Sequence, residues 1–215
     1  MRPSFGHALV VNELAVLPWR SVAAGVAVGA SLLGLDASGL VVGGPGSVAM
    51  WLGLAALGGA AAFTLDDASA AVTSAAPVRP VLRLVARLLV PTLLLGVWMT
   101  YAAVVTGDRD AGLSMAALAV TGAGVLLLSL GAASFARSAG MPEPGAVVAL
   151  AILLAVLVGL ALPFLPGRLH VLLAGEVPGR ELMIWAVLIV VQLVGLGRAG
   201  ADPWRSRRRL GSLRP

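Results

Sequence analysis

The 215-residue chain has no cysteine and no lysine. Without cysteine there are no disulfides, no thiolate metal sites and no cysteine nucleophile. Without lysine there is no phosphate loop ending in Lys-Ser or Lys-Thr, so this polypeptide does not hydrolyse ATP in the P-loop manner. All fifteen basic residues are arginine, a usage that fits a GC-rich genome. Charge is scarce as well. Charged residues make up 12% of the chain, roughly half the share in a soluble domain. The two histidines, His7 and His170, stand far apart in sequence and on opposite sides of the topology derived below, so they form no metal site. Ser, His and Asp occur, but no spacing suggests a hydrolase nucleophile elbow. No catalytic residue and no metal ligand is expected.

What is present is apolar. The chain is 59% hydrophobic, with a mean hydropathy of +0.99. That composition predicts an integral membrane protein. Abundant Gly, Ala, Val and Leu point to helices, because β-barrel strands alternate polar and apolar residues. The expected fold class is all-α, a polytopic membrane protein. Six transmembrane helices are predicted at about 21–35, 47–65, 88–106, 113–135, 145–165 and 182–196. Between the first two, Asp36 to Gly46 reads as a Gly-rich turn. Gly25 and Gly29 in the first span have the spacing that permits close helix approach, though 27 glycines produce such spacings by chance. Gly53, Gly58 and Gly59 predict tight packing of the second span.

Residues 1–20 form an N-terminal segment. Ala8 to Leu17 is mildly apolar, too short to span, and suits an amphipathic interfacial helix anchored by Trp19 and Arg20. Residues 198–215 form a basic tail containing Arg205, Arg207, Arg208 and Arg209. As an anchor to anionic lipid, the tail needs no other explanation. The net charge of +5 does not indicate nucleic acid, because the arginines sit where membrane topology places them. With both termini inside, twelve arginines fall on the cytoplasmic side and only Arg109, Arg168 and Arg180 outside. The bias predicts an N-in, C-in multi-pass protein of the bacterial cytoplasmic membrane.

None of the six predicted spans carries a charge near its centre, where a proton- or sodium-coupled transporter usually keeps one. The deepest polar groups are Thr92, Thr100, Thr121, Ser129, Ser134 and Gln192. Local bonding to a carbonyl one turn back, or to a neighbouring helix, accounts for them. Gln192 and Thr100 are also the candidates for lining a path.

Residues 65–90 concentrate the remaining signals. Asp66 and Asp67 are placed to cap a short helix ended by Pro77. Arg79, Arg83 and Arg87 recur every fourth residue and share one face, at the level of lipid phosphates. The stretch reads either as a solvated loop with interfacial anchors or as a short transverse helix that docks on a cytoplasmic protein. Six spans in this length, an amphipathic N-terminal segment and this loop resemble the ABC-2-type permease subunits of bacterial ABC exporters. Asp66-Asp67-Ala-Ser-Ala-Ala, then Ala76-Pro77 and an arginine run, resembles a stretch of small actinobacterial permease-like proteins. The specific likeness covers only about residues 65–87. It implies that Ala8 to Leu17 is a connecting helix. It also implies that the loop bearing Asp66, Asp67, Ser69 and Thr73 contacts a separate ABC ATPase subunit, which holds the ATP and Mg. A second permease copy or a paralogous permease would complete the path, in contact with membrane lipids. The short, proline-bounded loop before the sixth span departs from that pattern. A non-transporting scaffold or accessory subunit, and more remotely a secondary transporter, remain the other readings.

Overall fold

A computed structural model describes residues 14–15, 17–40, 47–66, 88–108, 115–139, 141 and 143–161. Among the described residues the chain is all helical, with five helices and no strand. They are α1 (Trp19–Ala37), α2 (Val48–Phe63), α3 (Leu89–Asp108), α4 (Met115–Ser138) and α5 (Pro144–Ala161). Three are long and apolar enough to cross a membrane: α1, α3 and α4. The other two are shorter apolar helices. The sequence expectations place the starts of all five, and the ends of α1 to α4, within about three residues. The predicted sixth span at 182–196 and the basic tail lie outside the described residues.

Local chemistry sets several of these ends. Pro18 precedes α1, and its carbonyl accepts from the amides of Ser21 and Val22. Ser47 caps α2 through its side chain, which accepts from the Met50 amide at 3.0 Å. Pro144 occupies the first position of α5, where a missing amide hydrogen costs nothing. Arg137 lies in the last turn of α4, where a cation suits the negative end of the helix dipole. At the end of α1, Gly39 has a φ of 72°, a left-handed conformation natural to glycine, and its amide bonds to the Asp36 carbonyl.

The helices run alternately up and down. Gly25 of α1 faces Ala60 of α2, while Gly29 faces Leu57 and Gly53, so these two helices are antiparallel. Gly59 and Gly58 of α2 meet Ala149 and Ile152 of α5, another antiparallel pair. α2 is the hub and packs against all four other helices. Around it, α1 touches α3, α3 touches α4, and α4 touches α5. A helix that is apolar on every side must be buried on every side. Accordingly Leu54, Leu57, Ala60, Ala61 and Ala62 are almost fully enclosed. The outer faces of α1, α3 and α5 instead present Val28, Leu93, Leu150 and Val158 outward, as lipid-facing residues would stand. In lipid, helices gain little from hiding apolar surface against one another, so close approach through small residues takes over. A Cβ on Gly25 would lie 2.9 Å from the Ala60 Cβ. The GxxxG spacing in α1 is therefore a true contact motif.

Candidate functional site

Among the described residues, a buried aspartate stands at each end of the bundle. Asp36 lies in the last turn of α1 and is 4% exposed. The sequence reads it as the start of a Gly-rich turn; the helix instead runs on to Ala37 and carries its carboxyl inward. Both carboxyl oxygens accept hydrogen bonds. The Ser47 hydroxyl at the cap of α2 donates to Oδ1. The Tyr101 phenol on α3 donates to Oδ2 at 2.6 Å. Three helices thus meet on one carboxyl group. Ser47 serves two purposes at once: its oxygen accepts from Met50 while its hydrogen goes to Asp36. Tyr101 is positioned from behind by Trp98, whose ring centroid is 5.2 Å away. Trp98 is itself fully buried and donates from Nε1 to the Leu118 carbonyl on α4 at 2.7 Å. Gly122 leaves room for that indole, since a Cβ there would fall among the indole atoms.

Asp66 stands at the opposite end, beyond the last turn of α2, and is also buried. Its Oδ1 accepts from the Gly145 amide at 2.7 Å. That amide belongs to the first turn of α5, where backbone N–H groups lack helical partners and a negative group is favoured. Beside it, Arg137 of α4 donates from a terminal guanidinium nitrogen to the Leu65 carbonyl at 2.8 Å. Burial pushes the Asp66 carboxyl above its ordinary pKa; the Gly145 amide opposes this, the nearby Glu143 adds to it, and Arg137 opposes it. The C-terminus of the hub helix is therefore fastened to α4 and α5 by side-chain to main-chain bonds.

The sequence-predicted residues fall out as follows. The segment that Asp66 is read from sequence as capping lies outside the described residues; its Oδ1 caps α5, 79 positions further on. Trp19 and Arg20 are exposed at the start of α1, on the same end as Asp66, and the Trp19 indole donates to the Leu14 carbonyl at 2.7 Å. Thr100 is exposed, and its hydroxyl donates to the Gly96 carbonyl at 3.0 Å. Thr92 and Ser129 likewise bond carbonyls one turn back, Leu88 and Val125. Asp67, Ser69, Thr73, Arg79, Arg83, Arg87 and Gln192 lie outside the described residues, as does most of the stretch from Ala8 to Leu17. No group of three or more His, Asp or Glu with metal-binding potential exists among the described residues. Sequence reasoning missed Asp36, Ser47 and Tyr101. Tyr101 is the only tyrosine in the chain, and that rarity was the one available signal.

Among the described residues the architecture defines a class: all helical, with three helices long and apolar enough to cross a membrane. No family model, curated protein or solved structure matches the chain, so the particular family is not shown.

Proposed function

We propose that the chain is the membrane-embedded subunit of an ATP-driven exporter in the bacterial cytoplasmic membrane, with six spans and both termini inside. A separate ATPase carries the ATP and Mg and docks at the loop of residues 66–87. A second copy or a related permease completes the path. The observation that carries this reading is the fastening of Leu65 and Asp66 to α4 and α5. The loop starts at that point, and the helix leading into it touches every other described helix. A push on the loop root would reach the whole bundle through packed helices and two main-chain ties, which is what a driven subunit with no motor of its own requires.

Affinity purification of a C-terminally tagged copy from native membranes, with mass spectrometry of the bound chains, tests the reading. A P-loop ATPase in near-stoichiometric amount supports it. Charge reversal at Asp67 should then weaken that association while membrane insertion is retained. A stable partner lacking a P-loop would replace the reading with that of an accessory subunit of another complex. Recovery of the chain alone would point to gradient-driven transport and would be followed by flux assays under imposed proton or sodium gradients.

A further inference from the structure

Two connections between helices meet at the Asp66 end: the loop that starts at Asp66 and the turn between α4 and α5. The turn is tied to the root of the loop on both flanks. Arg137, before it, donates to the Leu65 carbonyl, and the Gly145 amide, after it, donates to Asp66. The backbones are pressed together there as well, since a Cβ on Gly145 would lie 2.9 Å from the Phe63 Cα. The turn is also closed on its own helix. The amides of Ala139 and Met141 bond to the carbonyls of Phe135 and Ala136, which satisfies acceptors left over at the end of α4. Pro142 and Pro144 each fix a φ angle in Met141-Pro-Glu-Pro144. A surface held in this way loses little conformational freedom when something binds it.

The turn exposes an apolar side chain. Among the described residues, two exposed large apolar side chains lie outside the helices, Leu40 at the Asp36 end and Met141 at the Asp66 end. Met141 is 45% exposed. Lipid tails do not account for it. Arg137 and Glu143 flank it in the chain, Asp66 is bonded across the tie, and charged groups at hydrocarbon depth are costly. The turn therefore stands clear of the hydrocarbon, with the exposed Glu143 two residues from Met141. Methionine is enriched at protein interfaces.

Interface size decides what covers this surface. A stable interface takes roughly 20–30 residues from each partner. The loop of residues 66–87 supplies fewer. Asp66 is buried, and the sequence assigns Arg79, Arg83 and Arg87 to lipid phosphates, which leaves about a dozen residues from Asp67 to Val78. A partner that docks stably on the loop therefore covers neighbouring surface too, and the turn is the surface fastened to the root of the loop.

We propose, on the reading of the chain as an ATP-driven permease subunit, that the turn between α4 and α5 is the second half of the docking surface. Met141 fills an apolar pocket of the ATPase subunit, and Glu143 faces a basic group beside that pocket. The partner then pushes on α2, α4 and α5 together, through one fastened plate rather than a single loop.

The absence of cysteine permits a direct test. Single cysteines are introduced by Met141→Cys, by Ser69→Cys in the loop and, as a control, by Leu40→Cys at the other end. Each tagged chain is labelled in native membranes with benzophenone maleimide, illuminated and purified, with the cysteine-free chain as background. Captured chains are identified by mass spectrometry. Met141→Cys and Ser69→Cys should capture the same P-loop ATPase, and Leu40→Cys should not. Met141→Asp combined with Glu143→Arg should lower the co-purifying ATPase about tenfold, the loss expected at a well-packed interface contact. The melting temperature in detergent should stay unchanged, because both side chains are exposed. Capture from Ser69→Cys alone, or full retention of the ATPase by the double variant, would overturn the proposal and leave the ATP-driven reading standing. Capture of no P-loop chain from either position would overturn both.

Discussion

The two buried aspartates occupy equivalent places at opposite ends of one bundle, yet they do different work. Asp66 lies beyond the end of a helix and binds the amide that opens another, with the two backbones in contact. Asp36 lies inside a helix and binds two hydroxyls. A carboxyl on a free amide at a helix start satisfies an orphan donor and meets a favourable dipole. A carboxyl in the last turn of its own helix sits at the unfavourable dipole end, and the hydroxyls of Ser47 and Tyr101 compensate. The comparison teaches that burial alone does not indicate permanence. What matters is whether the partner is main chain or side chain, and whether the backbone around it is crowded or free.

The sharpest way to break the comparison is at the crowded end. Gly145→Ala should destabilise the protein by about 2–4 kcal/mol, combining overpacking against the Phe63 backbone with loss of the Asp66 cap. Thermal unfolding in detergent reads this, and a change near zero would show that the two backbones are not in firm contact. The corresponding cut at the other end is Tyr101→Phe, expected to cost about 1–3 kcal/mol because it leaves a buried carboxyl oxygen short of a donor. A double-mutant cycle with Asp36→Asn should show strong non-additivity, whereas simple addition of the two effects would mean that the residues do not act as a unit.

A smaller effect appears with pH. The Asp66 carboxyl titrates above its ordinary value, so the folded state holds its proton more tightly than the unfolded chain does. The stability this group contributes is fully present below the ordinary carboxylate pKa and is lost as pH rises through the raised one. Melting temperature measured across that window should fall with pH in the wild type, and the fall should be shallower in Asp66→Asn. An identical slope in both would assign the dependence to other groups. A last pair of effects concerns two glycines of one helix and should have opposite signs. Gly34→Ala should stabilise by about 0.5–1 kcal/mol, since the new methyl meets nothing and the helix stiffens. Gly25→Ala should destabilise by about 1–3 kcal/mol through its clash with α2. Unfolding titrations of the two variants side by side would expose any failure of that contrast.

The helices themselves were legible in the sequence because long apolar runs broken by Pro, Gly and charged turns leave few alternatives. Local hydroxyl bonding by Thr92, Thr100 and Ser129 was legible for the same reason, since the acceptor lies one turn away in the chain. The ties between helices were not. Asp66 drew attention as a helix cap, and it is one, but the amide it caps lies 79 residues away, and no local pattern encodes that distance. Asp36 was hidden by its surroundings. It precedes a glycine-rich stretch and resembles a turn residue, while its partners lie 11 and 65 positions off. The GxxxG spacing in α1 looked accidental in a glycine-rich chain, and only the facing surface of α2 shows that both glycines are in contact.

The central claim is that the root of the loop, at Leu65 and Asp66, is fastened to α4 and α5. Amide hydrogen exchange of the wild-type chain in nanodiscs tests it most directly, because protection reports the free energy of local opening. The account predicts strong protection at Thr64 to Asp66 and the start of α5, and its weakening in Asp66→Ala. Rapid exchange there in the wild type, or unchanged protection in Asp66→Ala, would contradict it.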